Sequence, residues 1–259
     1  MTSLPLSICV VLYRAQEVSE RFAAELRQSL APFSDYEILF YDNSPTDALR
    51  AIAGEDCYIH DPSNPGFSYA NNQLILMARH KAILLLNPDI FGLTPSFWTS
   101  LTPELPKDRV LFIKLLNADG SHQDCVGQPV GLSRALRRQP DYADVVLPMP
   151  IGAGIMAFML TTRAVFAKVG LLDCDYPLYG EDMDWSHRAN RHGIPVIYDP
   201  RFSLTHLGGA SAGDRWSRAQ SLIRKYRADG IFIHKHTRGV HALALKMLNN
   251  IKILRARLR

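Results

Sequence analysis

The chain has 259 residues, 47% hydrophobic and 21% charged, within the ordinary range of soluble proteins and long enough to bury a substantial core. Its formal charge of +4 hides an asymmetry: from Arg215 onward twelve Lys/Arg face one acid, Asp229, a balance of +11 that leaves residues 1–214 at −7. Four scattered cysteines with no CxxC pair exclude a zinc knuckle and a disulfide framework, and no segment reads as a signal peptide or a membrane-spanning helix, so a cytoplasmic protein is expected.

Through the first half, short aliphatic and β-branched runs alternate with helix-period segments, the pattern of parallel strands joined by crossover helices. Strands are predicted over 7–13, 36–41, 57–60, 82–86 and 110–114, with helices over 15–30, after the turn Asn43-Ser44-Pro45, and over 68–80. The second half is less regular. It holds a Gly-rich segment over 152–160, a helix over 162–169, a helix over 181–192 closed by Gly193, and a strand over 195–198. The last forty-five residues are helical in pattern, with an apolar stripe through Val240, Leu243, Met247, Leu248, Ile251, Leu254 and Leu258.

Open α/β sheets bind ligands at the carboxyl ends of their strands, which directs attention to the polar residues ending each apolar run. Tyr13 and Arg14 close the first predicted strand, Asp42 and Asn43 the second, and Asn87-Pro88-Asp89 the fourth. A single aspartate there is more often a cap or turn residue; several at successive ends shift the balance towards a site. In the segment NPGFSYANN, 64–72, Gly66 marks a tight turn between Asn64 and a helix carrying Asn71. Amides at such a helix start suit phosphate, although loops of this composition are common.

Asp89 is placed to project a carboxylate from a rigid strand terminus, which a hard divalent cation uses when phosphate supplies its other oxygens. His206, in LTHLGGAS beside Gly208 and Gly209, is either a second ligand or a structural histidine. Glu181 and Asp182 open a helix, where the dipole favours acids in any case. They also follow the aromatic segment YPLYG, a candidate cavity wall, from which a carboxylate would accept a hydroxyl proton. Asp184 and Arg188, four apart, read as a helix-face pair.

In this order YDNS, NPGFSYANN, LLLNPD, GAGIMAFML, LLDCDYPLYGEDMDWSHRANRHG and THLGGAS resemble family 2 of the inverting glycosyltransferases, over about residues 1–236, and within it the bacterial rhamnosyltransferase-like branch. The resemblance implies the GT-A fold, α/β and Rossmann-like, with a mixed, mainly parallel sheet flanked by helices and here a basic helical tail. It implies a catalytic domain over 1–214, divided near 116 into nucleotide-sugar and acceptor halves, and a tail over 215–259. Asp42 would contact the donor's base, and Tyr13, Asn43, Asn64, Gly66, Asn71 and Asn87 would line the nucleotide pocket. Asp89 and His206 would hold Mg2+ or Mn2+, Asp182 would be the general base, and Glu181 would help hold acceptor or base. The usual Asp-x-Asp motif reads Asn87-Pro88-Asp89, which implies a weaker grip on the metal.

The implied reaction takes a sugar, best guessed as L-rhamnose from its thymidine diphosphate, to a glycan or polyprenyl-diphosphate-linked acceptor in surface-polysaccharide (O-antigen) synthesis. A basic amphipathic helix over 240–259 would rest on an anionic membrane at its inner face, or pack on the body or in a homodimer. Nucleic-acid binding is a poor fit to the aliphatic stripe. A sugar nucleotidyltransferase is a rival reading, opposed by the absence of glycine in LYRAQE after the first strand; a non-catalytic sugar-nucleotide binder is another.

Overall fold

The computed structural model describes residues 1–105, 107–131, 141–208 and 217–258. Its strands are β1 (Thr2–Leu12), β2 (Phe33–Asp42), β3 (Cys57–His60), β4 (Ala82–Leu86), β5 (Ile90–Phe91), β6 (Val110–Leu116), β7 (Val126–Gly127), β8 (Met149–Pro150), β9 (Ala153–Gly154), β10 (Phe158–Thr162) and β11 (Val196–His206). Helices are α1 (Gln16–Leu30), α2 (Arg50–Ala53), α3 (Phe67–Met77), α4 (Pro95–Leu101), α5 (Arg163–Val169), α6 (Glu181–Arg191), α7 (Arg218–His236) and α8 (Gly239–Arg257).

The main sheet runs β3-β2-β1-β4-β10-β6-β11-β5, with β8 added on β11. β1, β2, β3 and β4 are mutually parallel, and β10 enters antiparallel between β4 and β6. Leu6, Ile8, Cys9, Val10 and Leu12 of β1 are all buried, on both faces, as a strand covered by helices on each side requires. Phe22, Leu26 and Leu30 of α1, at helical spacing, are buried in the same cluster.

Where sequence and structure differ, local hydrogen bonding decides. The helix predicted to reach 80 ends at Met77, because Glu37 takes the Arg79 amide at 2.5 Å and Ala78 turns extended. The strand predicted to end at 198 continues to His206 across a register shift between Asp199 and Ser203, where Pro200 lacks an amide for the ladder. β10 was not predicted: all five of its residues are buried, so FMLTT has no alternation to mark it. The C-terminal helical pattern is two helices, broken at Thr237-Arg238 with Gly239 at φ 63°. The boundary expected at 214/215 lies outside the described residues.

Candidate active site

β4, β6 and β11 point the same way as β1 and β2, so Asp42, Asn87, Asp89 and His206 all leave the sheet at one edge, the carboxyl edge. α6 ends at Arg191 and feeds the start of β11 at Val196, which aims its N-terminus, with Glu181 and Asp182, back towards that same edge.

Asp42 is fully buried; its Oδ1 accepts from the Ser44 amide at 2.8 Å and its Oδ2 from the Tyr58 hydroxyl at 2.5 Å. A carboxylate has about four acceptor positions, so these bonds fix Asp42 without exhausting it. Asn43 Nδ2 reaches the Gly66 carbonyl at 3.4 Å, and its Oδ1 is buried without a hydrogen bond. Gly66 stands at φ 103°, and a Cβ there would lie 3.9 Å from the Pro177 carbonyl oxygen, so the NPG turn and the YPLYG segment approach each other.

Asn64 is exposed in a left-handed conformation, φ 51°. Asn71 is buried and donates to the Phe67 carbonyl of its own helix at 3.0 Å. Its neighbour Asn72 instead clamps the Leu172 backbone with both ends of its amide, each at 2.9 Å, and ties α3 to the loop before YPLYG. Tyr13 is half-buried beneath the Arg14 guanidinium, 5.3 Å away; Arg14 donates its amide to Ser44 Oγ at 2.8 Å. Asn87, half-buried, is held by its amide on the Ala157 carbonyl of the segment entering β10.

Asp89 and His206 meet directly. β5 pairs Ile90 with His206, the Leu207 amide bonds the Asp89 carbonyl, and His206 Nε2 comes 3.3 Å from Asp89 Oδ1. Both side chains are buried, and Asp89 Oδ1 accepts no hydrogen bond. Gln123 sets the imidazole's tautomer. Its Nε2 donates to Asn117 Oδ1 and to the His206 carbonyl, so its Oε1 faces His206 Nδ1 at 2.6 Å and must accept from it. When neutral, the ring presents the lone pair of Nε2 beside a carboxylate oxygen, a donor pair that a cation bound between them would use. The pair therefore fits a divalent ion that draws its remaining oxygens from phosphate and water. Among the described residues no group of three or more His, Cys, Asp or Glu forms a metal site.

Glu181 and Asp182 sit at the first turn of α6, with Asp182 Oδ1 on the Met183 amide at 2.7 Å and Glu181 Oε2 buried without a partner. Burial pushes both carboxyls above the usual range; the Asp182 charge adds to the rise at Glu181, while helix-start amides and Lys225 oppose it at Asp182. α7 roofs this turn. A Cβ on Gly180 would be 2.9 Å from both Ala228 Cβ and Tyr176 Cδ1, and Lys225 lies 5.3 Å from the centre of the Tyr179 ring. The Asp184–Arg188 pair is present at 2.8 Å, but within a buried network: Asp184 also accepts from Tyr176 at 3.2 Å and contacts His236 Nε2 at 2.6 Å.

Residues 7–113 match the family model Glycosyl transferase family 2. A curated relative, the low-salt glycan biosynthesis hexosyltransferase Agl10 of Haloferax volcanii, is 24% identical over 205 residues, covering 74% of this chain. The chain spans 63% of that relative's length. The mannosyltransferase PcManGT of Pyrobaculum calidifontis, solved with GDP-Man and Mn2+, superposes with TM-score 0.61 at 15% identity over 98% of this chain and 73% of that one. GalNAc-T7, solved with UDP, GalNAc and Mn2+, gives TM-score 0.58 at 14% identity over 78% of this chain and 43% of that one. The fold is that of GT-A glycosyltransferases, and together with the domain match it supports a family 2 glycosyltransferase.

Three participants in this site escaped the sequence reading: Gln123, Tyr58 and Asn72. For Gln123 a signal existed. Asp119-Gly120 is a turn dipeptide, and the turn, with Gly120 at φ 80°, doubles the chain back after β6 so that His122 bridges Leu116 and Gln123 reaches His206.

Proposed function

We propose that the chain transfers a sugar from a nucleoside diphosphate to an acceptor hydroxyl with inversion at the anomeric carbon, with Asp182 as general base. The observation that carries this reading is the pairing of Asp89 Oδ1 with the lone-pair side of His206 Nε2 at 3.3 Å, on the edge that also carries Asp42. In this reading Asn43, bonded to the Gly66 carbonyl, and the Gly66 turn take the nucleotide, and Asp42, held by Tyr58 and Ser44, takes its base. Asp89 and His206 would hold Mg2+ or Mn2+, which when bound neutralises charge on the departing diphosphate.

Asp182 takes the acceptor proton in this scheme. Its partial burial strengthens it as a base, and the amides at the start of α6 orient it. Glu181, driven towards its neutral form by burial and by its neighbour, can hydrogen-bond the acceptor or Asp182 without competing for the proton. Lys225, over the Tyr179 ring of the YPLYG segment, would set the acceptor on the Asp182 side of the site. An acceptor carried on a polyprenyl diphosphate suits that cation, rhamnose from its thymidine diphosphate is the donor suggested by the motif pattern, and surface-polysaccharide synthesis at the inner membrane face is the corresponding process. No helix among the described residues is long and apolar enough to cross a membrane.

The test is a screen of nucleotide sugars with Mn2+ and a lipid-linked acceptor, reading diphosphate release and glycosylated product together. Product formed from one donor, lost in D182N, is the expected result. A protein that binds a nucleotide sugar but releases no diphosphate with any acceptor is a binder, and the reading fails.

A further inference from the structure

α8 packs only one of its faces. Its inward seam is Leu245, Asn249 and Ala256, all buried, with Asn249 Nδ2 donating to the Tyr226 carbonyl of α7 at 2.7 Å. On the opposite side Val240, Leu243, Met247, Ile251, Leu254 and Leu258 recur at helical spacing and are 46% to 80% exposed. The 3.6-residue period sets Lys246 and Arg257 along one border of this stripe and Arg255 along the other. From Gly230 to Leu258 there is no aspartate or glutamate.

Where α7 turns into α8, a cleft of about 620 Å³ opens. Its charged lining is cationic, from Arg238 and Lys246, with the His234 imidazole beside them, and its apolar rim includes Leu243 of the stripe. A phosphate seated there would have its apolar continuation beside the stripe. This combination of an apolar band, cationic borders and a cationic cleft at one end has the chemistry of an acidic phospholipid surface. A second copy of the same helix would set these cations against one another with no acid to answer them.

We infer that α8 docks on an anionic bilayer, its stripe among the acyl chains and the phosphate of an acidic lipid in the His234–Arg238–Lys246 cleft. Docking fixes orientation as well as location. α7 lies between α8 and the Tyr179–Gly180–Asp182 turn, with Ala228 against Gly180, so the proton acceptor sits about one helix diameter, ~10 Å, behind the lipid-facing helix. A lipid-carried hydroxyl then reaches Asp182 from the membrane side. That last step rests on the transferase reading; the docking does not.

The experiment is vesicle flotation of the full chain with phosphatidylcholine alone and with phosphatidylcholine containing phosphatidylglycerol. Binding should require the acidic lipid, and each cation at the surface should contribute about five-fold. R238A/K246A should therefore lose on the order of 25-fold in phosphatidylglycerol-dependent binding. M247E/L254E, altered at exposed positions and so expected to keep its Tm and circular dichroism, should lose binding altogether. Equal recovery on neutral vesicles, retained flotation of M247E/L254E, or a dimer by light scattering that this double variant dissolves would each overturn the proposal. Transfer to a water-soluble acceptor, measured in the same preparations, should be unchanged in M247E/L254E, so a failure of docking is separable from a failure of the transferase reading.

Discussion

Gln123 Oε1 lies 2.6 Å from His206 Nδ1, and two further bonds, to Asn117 Oδ1 at 3.0 Å and the His206 carbonyl at 3.2 Å, leave that amide only one orientation. Gln123 is thus a positioning residue for the imidazole. Q123L should lower Mn2+ affinity, followed by electron paramagnetic resonance of the free ion, by ~10–100-fold. Q123E keeps an acceptor for Nδ1–H and should recover part of that loss. An unchanged affinity in Q123L would show that the ring is oriented without it.

Asp89 is the carboxylate opposite that lone pair, and D89A removes it. Donor binding in the presence of Mn2+ should weaken while metal-free nucleotide binding, through the Asp42, Asn43 and Gly66 region, stays near its starting level. Calorimetric titration of a nucleoside diphosphate with and without Mn2+ separates these; the same metal dependence in D89A as in the parent chain would remove Asp89 from the role.

How far the sequence discloses the site follows from how each residue is held. Asp42, Asp89 and His206 end β-runs, so their common edge is readable once strand order is guessed, although β11's continuation past Pro200 and the antiparallel β10 were not. Glu181 and Asp182 were marked as the opening of a helix, and α6 begins at Glu181. Gln123 and Asn72 act through bonds spanning 83 and 100 residues; the Asp119-Gly120 turn marks where the chain doubles back before Gln123, but no local pattern names the partner of either side chain. The C-terminal stripe was legible from its period, but not that the preceding helix, through Phe232 against Met183 and His236 on Asp184, belongs to the body.

The acid pair gives opposite predictions for rate and stability. As the proposed general base, Asp182 must be ionised to accept a proton, and burial raises its pKa, so transfer should rise with pH along a limb above the ordinary carboxylate range. D182N should cut turnover by ~10²–10⁴-fold with donor affinity retained. A profile flat down through the usual aspartate range, or near-normal turnover in D182N, would assign the proton to another group.

For Glu181 the raised pKa means that the folded protein holds the proton more tightly than the unfolded chain. Stability is therefore fullest below the ordinary glutamate range and declines as pH rises from there towards the elevated folded value. E181Q keeps the neutral shape and removes that decline. Its melting temperature should match the parent's near pH ~4 and exceed it by a gap that widens towards pH ~8, with each 1 kcal/mol appearing as roughly 2–4 °C. A gap that narrows with rising pH would reverse the assigned shift.

Gly180 joins the roof helix to the acid pair, and its substitution tests that contact. At φ 93° an L side chain is strained, and its Cβ would stand 2.9 Å from Ala228 Cβ on α7 and 2.9 Å from the Tyr176 ring. Neither neighbour is the far end of a flexible chain, so G180A must push α7 away or distort the turn that orients Asp182. Overpacking of this kind costs ~1–3 kcal/mol, and the positive φ adds to it. G180A should lower the melting temperature and reduce turnover, and in a double-mutant cycle with A228G, which removes the Ala228 contact alone and itself costs ~1 kcal/mol as a helix-interior glycine, the two losses should be less than additive. If the two losses simply add, the Ala228 contact contributes nothing to the cost of G180A, and α7 does not press on the turn that holds Asp182.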